Sequence, residues 1–376
     1  MAKSGRRSHG DGGVTRRKDG RWQATFYDSE RKRRFVYGDT KQEALEKLRK
    51  AQRAEEDGLL VDGSKVKLRA YLDQWLEEVK RPTLRISSYV KYKKLINSYI
   101  VPALGDMQLQ KLRPQNVQSL YTKLAKRGLS MKTINSVHGL LHNAFEHAVR
   151  WKLVPVNIVD AATPPALVDR EMQPLDLDQA RNLLASARGH RLEMLLVLVL
   201  TTGMRRGELL ALRWSDIDFK TRVLTVNHTV DYIPHYGYVE TRPKTKASLH
   251  KIMLPGFVVD RLKEHQQQQL EQSAKVGDEW QGMNLVFCGL KGNYLNPRYM
   301  NKLFAKVLKE AGLPHMRFHD IRHSVVTLLL ALGVDIRSIQ DLVGHKDITT
   351  TLRVYGHMLP PMQQGIADKF DDLYGQ

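Results

Sequence analysis

The sequence holds a single cysteine, Cys288, so no internal disulfide and no thiolate metal cluster can form, a usage that fits a reducing cytoplasm. Long hydrophobic runs are missing too. The most apolar stretch, Leu195 to Leu200, is far too short to cross a bilayer and reads as a buried helix. Nothing apolar stands behind the opening Met-Ala-Lys-Ser-Gly-Arg-Arg, so neither a secretory signal nor a membrane association is expected. No G-x-x-x-x-G-K-S/T phosphate loop occurs, and no carboxylate cluster suggests a divalent metal. The expectation is chemistry without cofactor or metal. There is no internal repeat, and the one biased run, Gln266–Gln269, reads as an exposed helix face.

What is abundant is positive charge. The 376 residues carry 60 Lys+Arg against 40 Asp+Glu, a net +20, and residues 1–170 hold +16 of it in less than half the length. Charge concentrated this way suits regions that wrap a polyanion, although a generally basic surface would also be soluble. With 42% hydrophobic residues the chain can fill the cores of two or three domains.

Three segments follow. Residues 1–63 open with a Gly-rich start, expected to be disordered to about residue 12, then Asp19-Gly20 gives a two-residue hairpin signal among Arg16, Arg17, Lys18 and Arg21. The next strand alternates Trp22, Ala24 and Phe26 against Gln23, Thr25 and Tyr27. A second turn near Asp28 leads to Arg33-Arg34-Phe35-Val36-Tyr37. Thr40 with Glu43 makes a capping box for a helix whose stripe is Ala44, Leu45, Leu48 and Ala51. The expected product is a small α+β domain, a three-stranded sheet backed by one helix. Its basic turns fit a DNA-groove reader or, less specifically, a solvated face of a protein–protein module.

Residues 64–165 read as an all-α bundle. Leu68, Tyr71, Leu72, Trp75, Leu76 and Val79 repeat at helical spacing, and Tyr89 to Tyr99 carries Lys91, Lys93 and Lys94. Pro114 to Lys126 stops at Gly128, and Ser130 caps a long helix with Lys132 in its first turn, ending near Trp151. Such Lys-rich outer faces suit gripping a duplex backbone. Val154 to Val168 reads as a linker. Residues 172–376 read as mainly helical, with helices over Leu192–Thr201, from Pro297 (capped by Asn296) through Ala311, and over Phe318–Leu332. A strand patch interrupts them at Arg222–Asn227, Tyr238–Thr241 and Lys251–Leu254. A short amphipathic tail helix from about residue 359 presents Ile366, Phe370 and Leu373, to cover its own core or a neighbour's.

The chemistry lies in this third segment. Tyr355 follows Arg205, His319, Arg322 and His345. Guanidinium forks match phosphate oxygens, imidazoles donate or shuttle protons, and a phenol can attack phosphorus. The set reads as a phosphodiester-cleaving site that forms a covalent tyrosyl intermediate. His319 and Arg322, three apart on a helix, project from one face. His319 and His323 are four apart, as in a zinc-protease helix, but zinc is rejected: the Glu base is absent, no cysteine can ligate, and an arginine stands between. His138 and His142 raise the same question and read as a nucleic-acid-facing or solvated surface. Gly203 lets the chain turn so that Arg205 leaves the core, and Glu208 is placed to orient a guanidinium; Arg206 is the alternative.

The blocks Thr202-Gly-Met-Arg205-Arg-Gly-Glu-Leu, Pro243-Lys244-Thr-Lys, His319-Asp-Ile-Arg322-His, Leu-Val-Gly-His345 and Thr-Thr-Leu-Arg-Val-Tyr355 resemble the ordered signature of the tyrosine recombinase (phage integrase) family. The layout also resembles integrases of phages and integrative elements along essentially the whole chain. The resemblance implies a catalytic site of Arg205, Lys244, His319, Arg322, His345 and Tyr355, with Tyr355 the nucleophile and Lys244, or Lys246, the general acid. It implies an arm-type DNA-binding domain in residues 1–63, a core-type one in 64–165 and a catalytic domain in 172–376. The activity implied is cutting and rejoining duplex DNA through a 3'-phosphotyrosine, to integrate and excise a mobile element such as a phage genome, at the host nucleoid. The implied partners are core and arm attachment sites in double-stranded DNA and three further copies in a homo-tetramer, with room for a host bending protein and an excision directionality factor. Arg16, Arg17, Lys18, Arg21, Arg33, Arg34, Lys91, Lys93, Lys94 and Lys132 are the expected DNA contacts. Where the family usually has Thr-x-Ala after the second histidine, this sequence has Ser324-Val325-Val326, a difference in packing. Competing readings are a type IB topoisomerase-like nicking–closing enzyme, an Xer-type resolvase and a DNA-binding regulator without catalysis.

Overall fold

The computed structural model describes residues 13–27, 32–56, 66–167, 173–241 and 250–344. The expected disordered start, the turn near Asp28, Lys244, Lys246, His345, Tyr355 and the tail helix lie outside the described residues. The chain divides into two compact units, Met1–Asp169 and Arg170–Gln376.

The first unit begins with an antiparallel meander, β1 (Val14–Arg16), β2 (Trp22–Tyr27) and β3 (Arg33–Gly38), followed by α1 (Lys41–Glu56). Register pairs Val14 and Val36 with Ala24. Ala24 and Phe26 therefore point inward to Ala44 and Leu48 of α1, as the alternation predicts. Glu43 accepts from Asp39 N at 2.8 Å while Thr40 Oγ1 accepts from Glu43 N at 3.1 Å, so the helix start is capped from both directions. The first turn differs from expectation. Arg17 N donates to Arg21 O at 2.8 Å and Gly20 N to Arg17 O at 3.1 Å, so the loop has three residues, Lys18 to Gly20, with Gly20 at φ +85°. A turn closed by a left-handed glycine uses the same Asp-Gly pair as a two-residue loop but shifts it by one position.

The helical part comprises α2 (Leu68–Trp75), α3 (Ile86–Leu95), α4 (Val101–Leu104), α5 (Pro114–Lys126) and α6 (Met131–Arg150). π-type turns extend α2 through Lys80 and join α3 to α4. Trp75, Tyr71, Tyr121 and Phe145 are its largest buried side chains, and Tyr71 Oη donates to Ala144 O at 2.5 Å, tying α2 to α6. Gly128, at φ +77°, follows α5, and Ser130 Oγ accepts from Thr133 N at 3.3 Å to start α6. Two expectations need correction. Residues 154–162 are not a free linker, because Val154, Val159 and Ala162 are buried in the helical core. The second concerns His138, which turns inward with its Nδ1 2.8 Å from Tyr121 Oη, whereas His142 is solvated as read and its Nε2 meets exposed Asp160 at 3.0 Å.

The second unit runs α7 (Leu177–Ser186), α8 (Glu193–Thr202), α9 (Arg206–Ala211), β4 (Ile217–Asp218), β5 (Val223–Thr225), β6 (Thr229–Ile233), β7 (Gly237–Thr241), β8 (Lys251–Met253), α10 (Gly256–Val276), α11 (Pro297–Glu310), α12 (Phe318–Ala331) and α13 (Ile336–Val343). Every residue of α8 from Met194 to Val199 is buried, because the helix packs on α7, α10 and α12 at once. A helix apolar all round has to be central. The strand patch is split: β4-β5-β8 form one antiparallel sheet, and Gly237–Thr241 pairs with β6 in a separate hairpin. Strand β6, Thr-Val-Asp-Tyr-Ile, escaped the sequence reading because only Val230 and Ile233 of it are buried. Gln269 is likewise no solvated residue. Its amide donates to Leu285 O, Val286 O and Cys288 Sγ at 3.1–3.2 Å and accepts from Trp214 Nε1 at 2.7 Å, pinning α10 to the 284–288 segment.

Candidate active site

The site is assembled where three helix ends meet. Helix α8 stops at Gly203, which sits at φ 63°, ψ 18°. A Cβ at Gly203 would stand 2.9 Å from Val343 Cγ1, so only glycine fits both the left-handed backbone and the approach of α13. Two residues on, Arg205 begins the turn into α9. Buried Glu208 takes Arg205 N and Arg205 Nη1, both at 2.8 Å. This carboxylate both caps α9 and aims the guanidinium, whose side chain stays 37% exposed. Arg206 makes no hydrogen bond or ion pair among the described residues.

Arg322 enters from α12 and is 2% exposed. Its Nη1 donates to Gly203 O at 2.6 Å and its Nη2 to Val343 O. Arg205 Nη2 donates to the neighbouring Gly344 O at 3.2 Å. The two arginines thus converge on one place, the carbonyl end of α13, where partial negative charge gathers. Nothing in the sequence reading anticipated those carbonyls, although Gly344, left-handed at φ 61°, carries the signal of a helix end.

His319 stands one turn before Arg322 on α12, its exposed ring perpendicular to that of His323 with centroids 5.3 Å apart. The surrounding protein lowers its pKa from the ordinary 6.5, first by desolvation, then through His323, Arg322 and Arg205. His323 is lowered too, mainly by burial. Both are therefore neutral at neutral pH, so His319 can donate one N–H to a phosphate oxygen and accept a proton at the other nitrogen. Between them, Asp320 is buried, and the Arg317 guanidinium holds its carboxyl below the usual range against the opposing effect of burial. Ser324, the residue that replaces the family's threonine, accepts from Leu175 N at 2.9 Å and donates to Asp320 O at 3.1 Å. It ties the entry of the unit to the helix that carries His319 and Arg322.

The arrangement brings together three of the six expected site residues: Arg205, His319 and Arg322. Two fixed cations and a neutral imidazole around an exposed edge form an anion cradle suited to a phosphodiester. The ten basic residues expected to touch DNA all lie in the first unit and are exposed or half-buried there. Asp19 draws on Arg17 at 3.6 Å and Arg21 at 3.3 Å, Arg33 packs over Phe35, and Lys93 over Tyr89.

Comparison with known proteins agrees. The model of the phage integrase family matches residues 173–360, and that of the phage integrase N-terminal SAM-like domain matches residues 67–125. A tyrosine recombinase XerC-like protein of Caldanaerobacter subterraneus subsp. tengcongensis is 31% identical, over 91% of this chain and 92% of its own. An integrase of Streptomyces ambofaciens is 29% identical over 100% of this chain and 98% of its own. Among solved structures, the Tn1549 transposon integrase in complex with transposon right end DNA superposes with a TM-score of 0.68 at 21% identity, over 77% of this chain and 95% of that one. Matched over half its length by the family model, and by a relative above 30% identity along nearly all of it, the chain belongs to the phage integrase family, the tyrosine recombinases that break and rejoin DNA at specific sites.

Proposed function

We propose that this recombinase integrates and excises a mobile element, with Arg205, His319, Arg322 and His345 holding the scissile phosphate, Tyr355 attacking it and Lys244 protonating the leaving 5'-oxygen. The observation that carries the reading is the convergence of Arg205 and Arg322 on the Val343–Gly344 carbonyls, immediately before His345 in the chain. A phenol with an ordinary pKa near 10 attacks only if its proton is taken and the phosphate charge is met. Two rigid guanidiniums meet that charge. The P–O5' bond breaks as the P–Oη bond forms, and the 3'-phosphotyrosine keeps the ester energy for rejoining by a 5'-hydroxyl. The sheet-and-helix segment would bind arm sites and the helical bundle core sites, as separate domains of residues 1–63 and 64–165, on a tetramer. The separate hydrophobic cores of the two segments support that division.

A nicked suicide duplex bearing a candidate attachment site tests the assignment. The wild-type protein should become covalently linked to DNA, and Tyr355→Phe should bind equally well without forming the adduct. A covalent complex from the Phe variant would give the nucleophile another identity. The relative named XerC-like keeps an Xer-type resolvase as the second reading. The basic sheet-and-helix segment argues for two classes of DNA site instead, and footprinting that finds one contact region per protomer would favour the resolvase.

A further inference from the structure

The end of α6 carries a cluster that neither the fold nor the cradle uses. Lys80, at the end of the π-turn that extends α2, sets its Nζ over the Trp75 ring, 5.3 Å from the centroid. His147 meets the same indole edge-on, 6.3 Å from the Trp75 ring and 6.3 Å from that of Trp151, while Tyr92 stacks on Trp75 at 6.2 Å. Arg150, one turn after His147, is largely exposed. Trp75 itself is fully buried, and its Nε1–H finds no acceptor among the described residues. Four donor side chains are thus gathered with one carboxylate nearby, Glu146, 3.8 Å from Arg150 and exposed. Among the described residues neither Lys80 nor His147 pairs with an acid.

Such a set is costly in isolation. Lys80 is pushed below its ordinary pKa by burial and then by Arg150. His147 is pushed down by burial, then by Lys80 and Arg150, with Glu146 alone opposing. Cations near helix ends are ordinary, since they complement the macrodipole. That accounts for Arg150 and His147 one at a time, but not for three mutually repelling groups around an indole. Glu146 pairs with Arg150, and among the described residues Lys80 and His147 have no carboxylate of their own within ion-pair distance.

Resting on the DNA-binding reading of the helical segment, we infer that Lys80, His147 and Arg150 hold adjacent backbone phosphates of duplex DNA, one of which draws a proton onto His147. The proton comes from solvent, and no bond to phosphorus changes. Since the contact is to backbone rather than to bases, the site is independent of sequence and makes DNA affinity rise with acidity.

The test is anisotropy of a fluorescein-labelled random-sequence duplex with the full-length protein, titrated in salt at pH 6 and pH 8. For wild type, the slope of log Kobs against log[salt] should steepen by up to about 0.9 at the lower pH, one further phosphate neutralised. His147→Gln should remove that increment. His147→Arg should restore tight binding and make it equal at both pH values, a result that a packing role for the imidazole does not produce. Lys80→Gln should flatten the slope by about 0.9 at both pH values. Near-UV circular dichroism of each variant reports whether the Trp75 and Trp151 surroundings persist. Wild type that binds with a pH-dependent slope, beside His147→Gln with the same dependence, would overturn this site alone. Wild type without salt-dependent duplex binding would overturn it together with the DNA reading on which it rests.

Discussion

Arg322 shows how one side chain carries both fold and chemistry. It is buried, yet its two terminal nitrogens serve carbonyls from chain positions far apart, Gly203 and Val343. Arg322→Met keeps the volume but strands both acceptors, so stability should fall by about 2–4 kcal/mol in urea unfolding. Gly203→Ala places a methyl against Val343 in a left-handed backbone and should cost about 1–3 kcal/mol in the same measurement. Ser324→Ala leaves the Leu175 N–H without its acceptor and should cost about 1–3 kcal/mol while sparing duplex affinity. A Ser324→Ala protein as stable as wild type would remove that hydrogen bond from the account. At this scale much was readable in advance. Thr202-Gly-Met-Arg205 and Glu208 announce a helix stop and an aimed guanidinium because glycine and carboxylate each have one evident use there. The carbonyls of Val343 and Gly344 were not readable, since a main-chain acceptor leaves no mark on residue type.

Among the elements, α8, α11 and α12 were legible because caps and apolar content coincide: Asn296 Oδ1 accepts from Arg298 N and Tyr299 N before the helix that opens with Pro297. Strand β6 and the hairpin it forms were not, because alternation is weak where a ladder is only partly covered. Helix α10 teaches a related lesson. Four glutamines in a row suggest a wet face, yet Gln269 meets a half-buried indole N–H, two carbonyls and a thiol. Gln269→Leu should therefore destabilise the catalytic unit by about 1–3 kcal/mol, whereas Gln267→Leu, on the exposed side, should be nearly neutral. Thermal unfolding of the pair separates these outcomes.

At the scale of the molecule, five histidines among the described residues share one direction: His138, His147, His265, His319 and His323 are all held below the ordinary 6.5, each with burial as the largest cause. Below 6.5 the unfolded chain takes up protons that the folded one refuses. Stability is therefore fully present above that pH and lost as pH falls through the lower folded values. The unfolding temperature should drop between about pH 7.5 and 5, and a calorimetric midpoint constant over that range would contradict the shared shift. The division of charge was visible from composition, and the described residues form separate hydrophobic cores in the sheet-and-helix segment, the helical bundle and the second unit. One junction couples the fold to the cradle. Because Val343 and Gly344 each accept from one of the two arginines of the cradle, whatever displaces the end of α13 moves both guanidiniums at once. The cradle therefore keeps its geometry, or loses it, as one piece.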